Sequence, residues 1–110
     1  MAATFAIKLD DFRSGPQSVE INGVEVGLFQ VEEEIFALEN SCPHEGLPLH
    51  EGMQDAYEVT CAAHGWCFDL RTGFRPKFSD GFPIPCFYTE VRGDEVWVDL
   101  DRRTNLPVRP

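Results

Sequence analysis

Two fragments, Cys42-Pro43-His44-Glu45-Gly46 and Cys61-Ala62-Ala63-His64-Gly65-Trp66, each offer one thiol and one imidazole on a short loop. A fold that uses all four side chains as one set must bring two separate loops to one place. Thiolates and imidazoles ligate zinc, copper and iron alike, so the residue types narrow the metal little. The spacing narrows it more. Structural zinc sites draw two cysteines from one C-x2-4-C knuckle and their histidines from a helix at H-x3-5-H spacing. Here the pairs are mixed, C-x-H and then C-x2-H, and no helical pattern carries either histidine. A cluster of two irons and two sulfides suits mixed pairs, because each iron takes two protein ligands besides its bridging sulfides. If the loops face each other, Cys42 and Cys61 meet on one iron while His44 and His64 meet on the other.

Around these fragments the chain reads as all-β. Short alternating or β-branched runs recur with turn residues between them. Strands are expected at Thr4 to Leu9, Gln17 to Ile21, Val24 to Val31, Glu34 to Leu38, Tyr57 to Thr60, Trp66 to Leu70, Cys86 to Val91 and Glu95 to Leu100. Asn22-Gly23 suits a two-residue type I′ hairpin, since both residues tolerate positive φ, and Arg92-Gly93-Asp94 marks a second hairpin. Phe74 to Pro85 is irregular, with Pro76, Pro83 and Pro85 excluding a regular central strand. Only Met53 to Ala56 suggests a helical turn. Residues 101–110 read as a frayed tail behind a single domain of residues 1–100.

A chain of 110 residues fits one domain. No run approaches the roughly 18 apolar residues that span a bilayer, and the first residues lack a basic segment followed by a long apolar one. A cytoplasmic protein without a membrane segment is expected, and in that reducing compartment four cysteines point to metal chemistry rather than disulfides. The net charge of −10 is uneven: between Ser14 and Leu70 there are eleven acidic residues and no Lys or Arg. Such a surface repels phosphates, which argues against nucleic acid as a partner; it would either steer a basic protein or serve solubility.

The full pattern, Cys42-x-His44-x16-Cys61-x2-His64-Gly65, resembles the Rieske signature, in which two histidines replace two cysteines on one iron of a [2Fe-2S] cluster. The resemblance extends to Cys42-Pro43-His44-Glu45-Gly46, to His64-Gly65-Trp66-Cys67-Phe68-Asp69 with Arg71-Thr72-Gly73, and to Gly93-Asp94-Glu95-Val96-Trp97-Val98. These look like the small Rieske ferredoxins of bacterial aromatic-ring oxygenase systems. The resemblance implies an antiparallel β-sandwich or barrel base with a small cluster-binding subdomain at one tip. It also implies one [2Fe-2S] cluster held by Cys42, His44, Cys61 and His64, with both histidines at the exposed tip. A third loop, Gly81-Phe82-Pro83-Ile84-Pro85 or the stretch around Pro76, is expected to cover the cluster.

Departures from the respiratory Rieske proteins are informative. Those carry two further cysteines that join the ligand loops, where this chain has Leu47 and Ala63, so that disulfide is impossible. Their serine that donates to a cluster sulfide falls at Trp66. Fewer donors to sulfur and an acidic surround place the expected potential near the low end of the about −150 to +300 mV Rieske range.

Other candidates read as structural. His50 is a loop-packing or surface residue, because the four ligand positions are filled. Cys67 and Cys86 are ordinary thiols rather than a disulfide pair. Asp69 caps the turn before Arg71-Thr72-Gly73. Trp97, Phe36 and Phe87 are expected in the core, and Leu47, Pro48 and Trp66 either as an apolar rim beside the histidines or, for Trp66, in plain packing. The motif offers no general base and no 2-His-1-carboxylate set, so catalysis by the chain itself is not expected. The resemblance implies a monomeric one-electron carrier that takes electrons from a ferredoxin reductase and delivers them to a terminal Rieske non-haem iron oxygenase. Two other readings use the same residues: an accessory subunit of a larger reductase such as nitrite reductase, and a zinc-binding structural module.

Overall fold

The structure, a computed structural model, describes residues 3–42, 46–62, 65–75 and 83–105. Among them are β1 (Thr4–Lys8), β2 (Gln17–Ile21), β3 (Val24–Val31), β4 (Glu34–Glu39), β5 (Met53–Asp55), β6 (Glu58–Thr60), β7 (Cys67–Asp69), β8 (Cys86–Arg92) and β9 (Glu95–Arg103). Two 3-10 turns, Leu9–Ser14 and Leu49–Glu51, complete the regular structure. Six strands form one antiparallel sheet in the order β1-β9-β8-β4-β3-β2. Its end strands, β1 and β2, approach each other, so the sheet nearly closes on itself. The remaining three, β5-β6-β7, make a small sheet inserted between β4 and β8. The all-β expectation therefore holds, as does the division into a base and a smaller subdomain.

Turn chemistry sets much of this. Asn22 (φ 51°) and Gly23 (φ 82°) both adopt the left-handed conformation, which matches the twist of paired strands and places Ile21 opposite Val24. Alternation along β3 then decides which core each residue joins. Val26 and Leu28 face the interior of the base with Ile21, Ile35, Ala37, Val96 and Val98. Phe29 packs the other way, with Leu38, Leu49, Val59, Phe68, Leu70 and Ile84, in a second core beneath the small sheet. Each fully buried Phe or Leu is worth about 2 kcal/mol, whereas an exposed ion pair contributes about 0–1 kcal/mol. Burial of Phe29, Leu38, Leu49 and Val59 therefore does most to hold subdomain to base.

Several expectations are corrected. Met53–Asp55 is a strand paired with β6, not a helical turn. The strand expected from Thr4 to Leu9 ends at Lys8, and Leu9 instead opens a 3-10 turn that buries Phe12, its first turn tied by the Lys8 N–H donating to Asp11 Oδ2 (3.0 Å). β9 continues to Arg103, past the expected end at Leu100, because β8 keeps pairing with it beyond a bulge, Phe87 opposite Arg103. Trp97 is not core: with Val96 and Val98 pointing inward it lies on the outer face, edge-on to Phe5 and under the Arg92 guanidinium (4.2 Å). Phe36 is half-buried against the second core, and Phe87 is buried as expected.

Candidate metal centre

Cys42 follows β4 through Asn40 and Ser41, and Cys61 directly follows β6. The two cysteines open loops with matching backbone frames. In the first, the Cys42 N–H donates to the Leu47 carbonyl (2.8 Å) and the Cys42 carbonyl accepts from the Gly46 N–H (2.6 Å). In the second, the Cys61 N–H donates to the Trp66 carbonyl (2.7 Å) and the Cys61 carbonyl accepts from the Gly65 N–H (3.3 Å). Each frame closes through a glycine in the left-handed region, Gly46 at φ 74° and Gly65 at φ 72°, a conformation that costs a residue with a Cβ about 1–2 kcal/mol.

Both cysteines are buried, 1% and 2% exposed, and both belong to the second core, while Gly46, Leu47, Ala62 and Gly65 face solvent. The loops thus bury their thiols and expose these four neighbours. His44 and His64 lie outside the described residues, as do Pro76 and the Gly81-Phe82 part of the expected third loop. Among the described residues, no three His, Cys, Asp or Glu side chains gather in metal-holding geometry. The donor chemistry suits an iron–sulfur group nonetheless: two cysteines at equivalent places in twin frames, desolvated in one apolar cluster, would supply the thiolate half of a mixed set.

The frames are tied to the base by polar side chains that no sequence spacing signals. Asn40 is buried; its Oδ1 accepts from the His50 backbone N–H (2.9 Å), and its Nδ2 lies 2.8 Å from His50 Nδ1 and donates to Ser18 Oγ (3.2 Å). A Cβ on Gly27 would fall 2.8 Å from Asn40 Oδ1, so the glycine leaves the slot that this side chain fills. His50 therefore has the loop-packing role expected of it. Further ties run from Gln54 Nε2 to the Gln30 carbonyl (3.1 Å) and from the Tyr57 hydroxyl to Glu34 Oε2 (3.2 Å).

On the exit from the second loop, Trp66 is half-buried, with the Arg75 guanidinium 4.0 Å from its ring centroid and Phe68 beyond. Leu47 is exposed and Pro48 half-buried. Asp69 caps the following turn: Oδ1 accepts from the Arg71 N–H (2.8 Å), and its carboxylate takes the Arg71 guanidinium on both oxygens (3.1 and 2.9 Å). Those bonds hold the Asp69 carboxyl below the usual range, against an opposing contribution from burial. Burial pushes the Cys86 thiol up to about 12, and burial with a hydrogen bond to Glu58 raises Cys67. None of the four cysteines, all of them among the described residues, is joined in a disulfide.

Residues 3–87 match the family model of the Rieske [2Fe-2S] domain. The chain is 38% identical over 66 residues to the ferredoxin component of the naphthalene 1,2-dioxygenase/salicylate 5-hydroxylase systems of a Ralstonia species, a match spanning 59% of this chain and 64% of that protein, just under two thirds of its length. It is 30% identical over 82 residues to the ferredoxin component of the naphthalene 1,2-dioxygenase system of Pseudomonas aeruginosa, spanning 74% of this chain and 79% of that one. The solved ferredoxin of carbazole 1,9a-dioxygenase from Nocardioides aromaticivorans IC177 superposes with a TM-score of 0.80 at 26% identity, covering 89% of this chain and 97% of that chain.

Proposed function

The chain belongs to the Rieske [2Fe-2S] domain family, and from that premise we propose that it is a one-electron carrier between a ferredoxin reductase and a terminal oxygenase of the aromatic-ring type. The reading is supported above all by Cys42 and Cys61, which open two matching loop frames and are buried in one apolar cluster. In it, Cys42 and Cys61 ligate one iron and His44 and His64 the other. A bound [2Fe-2S] cluster supplies a one-electron couple and nothing that binds substrate, since the four protein ligands saturate it.

The chain's own residues then have three tasks. Cys42 and Cys61 hold their sulfurs away from water. The frames closed by Gly46 and Gly65 bracket His44 and His64 in sequence, and each ring would hold the cluster through one nitrogen and leave its other nitrogen to a partner. Gly46, Leu47, Ala62 and Gly65, exposed and uncharged, let a partner's surface come close. Reductase and oxygenase use this tip in turn, the carrier changing partners between steps. A monomer in the cytoplasm, carrying one cluster, completes the proposal. No helix among the described residues is long and apolar enough to cross a membrane.

Iron and acid-labile sulfide analysis with EPR of the reduced protein tests it. We expect two irons and two sulfides per chain and an average g below that of all-thiolate [2Fe-2S] ferredoxins, lost in His64→Ala. A colourless protein containing zinc without labile sulfide, or a His64→Ala variant that keeps the spectrum, overturns the ligand set.

A further inference from the structure

Behind β9 the chain makes one more structured step. The Thr104 N–H donates to the Cys86 carbonyl (3.0 Å), and Asn105 then uses both ends of its side-chain amide. Its Oδ1 accepts from the Cys86 N–H (3.0 Å), while its Nδ2 donates to the Thr72 carbonyl (2.8 Å) and the Ile84 carbonyl (2.7 Å). The orientation is fixed by its partners, because a flipped amide would set an oxygen against two carbonyls and an N–H₂ against an N–H. Gly73 makes room for it: at φ 77°, a Cβ there would fall 2.2 Å from the Ile84 carbonyl oxygen and 2.6 Å from Asn105 Nδ2. The Ile84 N–H also donates to the Gly73 carbonyl (2.9 Å), so turn and return strand meet on both sides of the amide.

These groups have a common position in the fold. Thr72 and Gly73 belong to the turn that follows β7, which leaves the second ligand loop at Trp66. Ile84 and Cys86 carry the chain back into the base, and both side chains are buried in the same core as Cys42 and Cys61. The loop is fixed on its entry side by pairing of β5 with β6. On its exit side β7 pairs with β6, and the Asn105 amide then joins the turn behind β7 to the segment entering β8.

We propose that Asn105 is a positioning residue for the cluster site: it clasps the turn behind the second ligand loop to the segment entering β8, so that the C-terminal segment sets how firmly Cys61 and its loop are held. This rests on the cluster reading above. Asn105→Ala removes all three bonds, whereas Asn105→Asp keeps the acceptor for Cys86 and loses both donors, setting a carboxylate against two carbonyls.

Hydrogen exchange followed by mass spectrometry, with bleaching of the visible spectrum in air and EPR of the reduced state, tests the proposal on the cluster-loaded protein. In Asn105→Ala, exchange over residues 71–75 and 84–87 should quicken about thirtyfold, the size expected for losing two or three ordinary hydrogen bonds. Exchange over the β2–β3 hairpin should not change, bleaching should quicken about tenfold, and the g values should spread. Asn105→Asp should do the same with less effect at Cys86, and it serves if the alanine variant does not fold. Unchanged local exchange overturns the clasp. Faster local exchange with unaltered bleaching and EPR overturns the positioning role and leaves a mere anchor for the tail. If the wild-type protein carries no cluster, the functional reading fails instead, and the exchange arm still reports on the clasp.

Discussion

The Asp69 carboxylate accepts a backbone N–H and both arms of the Arg71 guanidinium, while Arg71 in turn lies 4.3 Å from the Tyr57 ring centroid. Its carboxyl is therefore easier to ionise in the folded protein than in the unfolded chain. A depressed folded value gives stability that is complete above the unfolded value, about 3.9, and is lost as pH falls from there through the folded value. Asp69→Asn should melt lower than wild type at pH 7, with the difference shrinking as pH falls below about 4. Thermal melts across that range check it, and a difference that stays constant would remove Asp69 from the acid limb. Cys86 has the opposite linkage. Burial raises its thiol from 9.0 to about 12, so its contribution is complete below the unfolded value and declines as pH rises from there toward about 12. Site-resolved alkylation at pH 8 should leave Cys86 unmodified until the protein unfolds; reaction at the rate of a free thiol would show that the side chain is not shielded as described.

At the scale of elements, the subdomain depends on close backbone approaches. Gly52 lies just before β5 with its bare Cα against the residue before Cys61: a Cβ there would fall 2.1 Å from the Thr60 carbonyl oxygen. Because that neighbour is backbone, Gly52→Ala must shift β6 or break its pairing with β5, an overpacking cost of about 1–3 kcal/mol. We expect a lower melting temperature and a lower ratio of visible to ultraviolet absorbance, reporting reduced cluster loading; normal loading and an unchanged melt would contradict it. This dependence was not legible in the sequence, where Gly52 sits in an ordinary turn. What was legible rested on local chemistry: the Asn22-Gly23 hairpin needs two left-handed residues, and the family could be recognised from the order and spacing of Cys42, His44, Cys61 and His64 alone. Met53–Asp55 was misread because three residues carry no period, and only pairing with β6 makes them a strand. Asp101-Arg102-Arg103 was misread because its polar sequence resembles a tail, while the pairing partner lies on β8. Asn40 and Asn105 have no spacing signal either, since each fills a slot left by a glycine distant in sequence. Trp97 is different: its outward position follows from inward Val96 and Val98, and bulk was a poorer guide than alternation.

Across the whole molecule, charge is the property that a partner meets first. Of the eleven acidic residues between Ser14 and Leu70, nine are exposed, Asp69 is half-buried and Glu45 lies outside the described residues. They are spread over β2, β3, β4 and their turns and over the small sheet, on a body of 37 × 36 × 26 Å. At 0.01 M ionic strength the Debye length is about 30 Å, comparable with the whole protein, so these charges act together on an approaching molecule. At 0.15 M it is about 8 Å, and only those beside the point of contact still act. Electron delivery from the reduced protein to a strongly basic acceptor such as cytochrome c should therefore slow by at least about tenfold as ionic strength rises between those limits, by loss of steering. Delivery to a neutral small-molecule acceptor should change little, because no comparable attraction draws it in. Stopped-flow rates at a series of salt concentrations separate the two cases. A basic acceptor whose rate ignores salt would mean that the acidic surface serves solubility alone, and that it plays no part in partner choice.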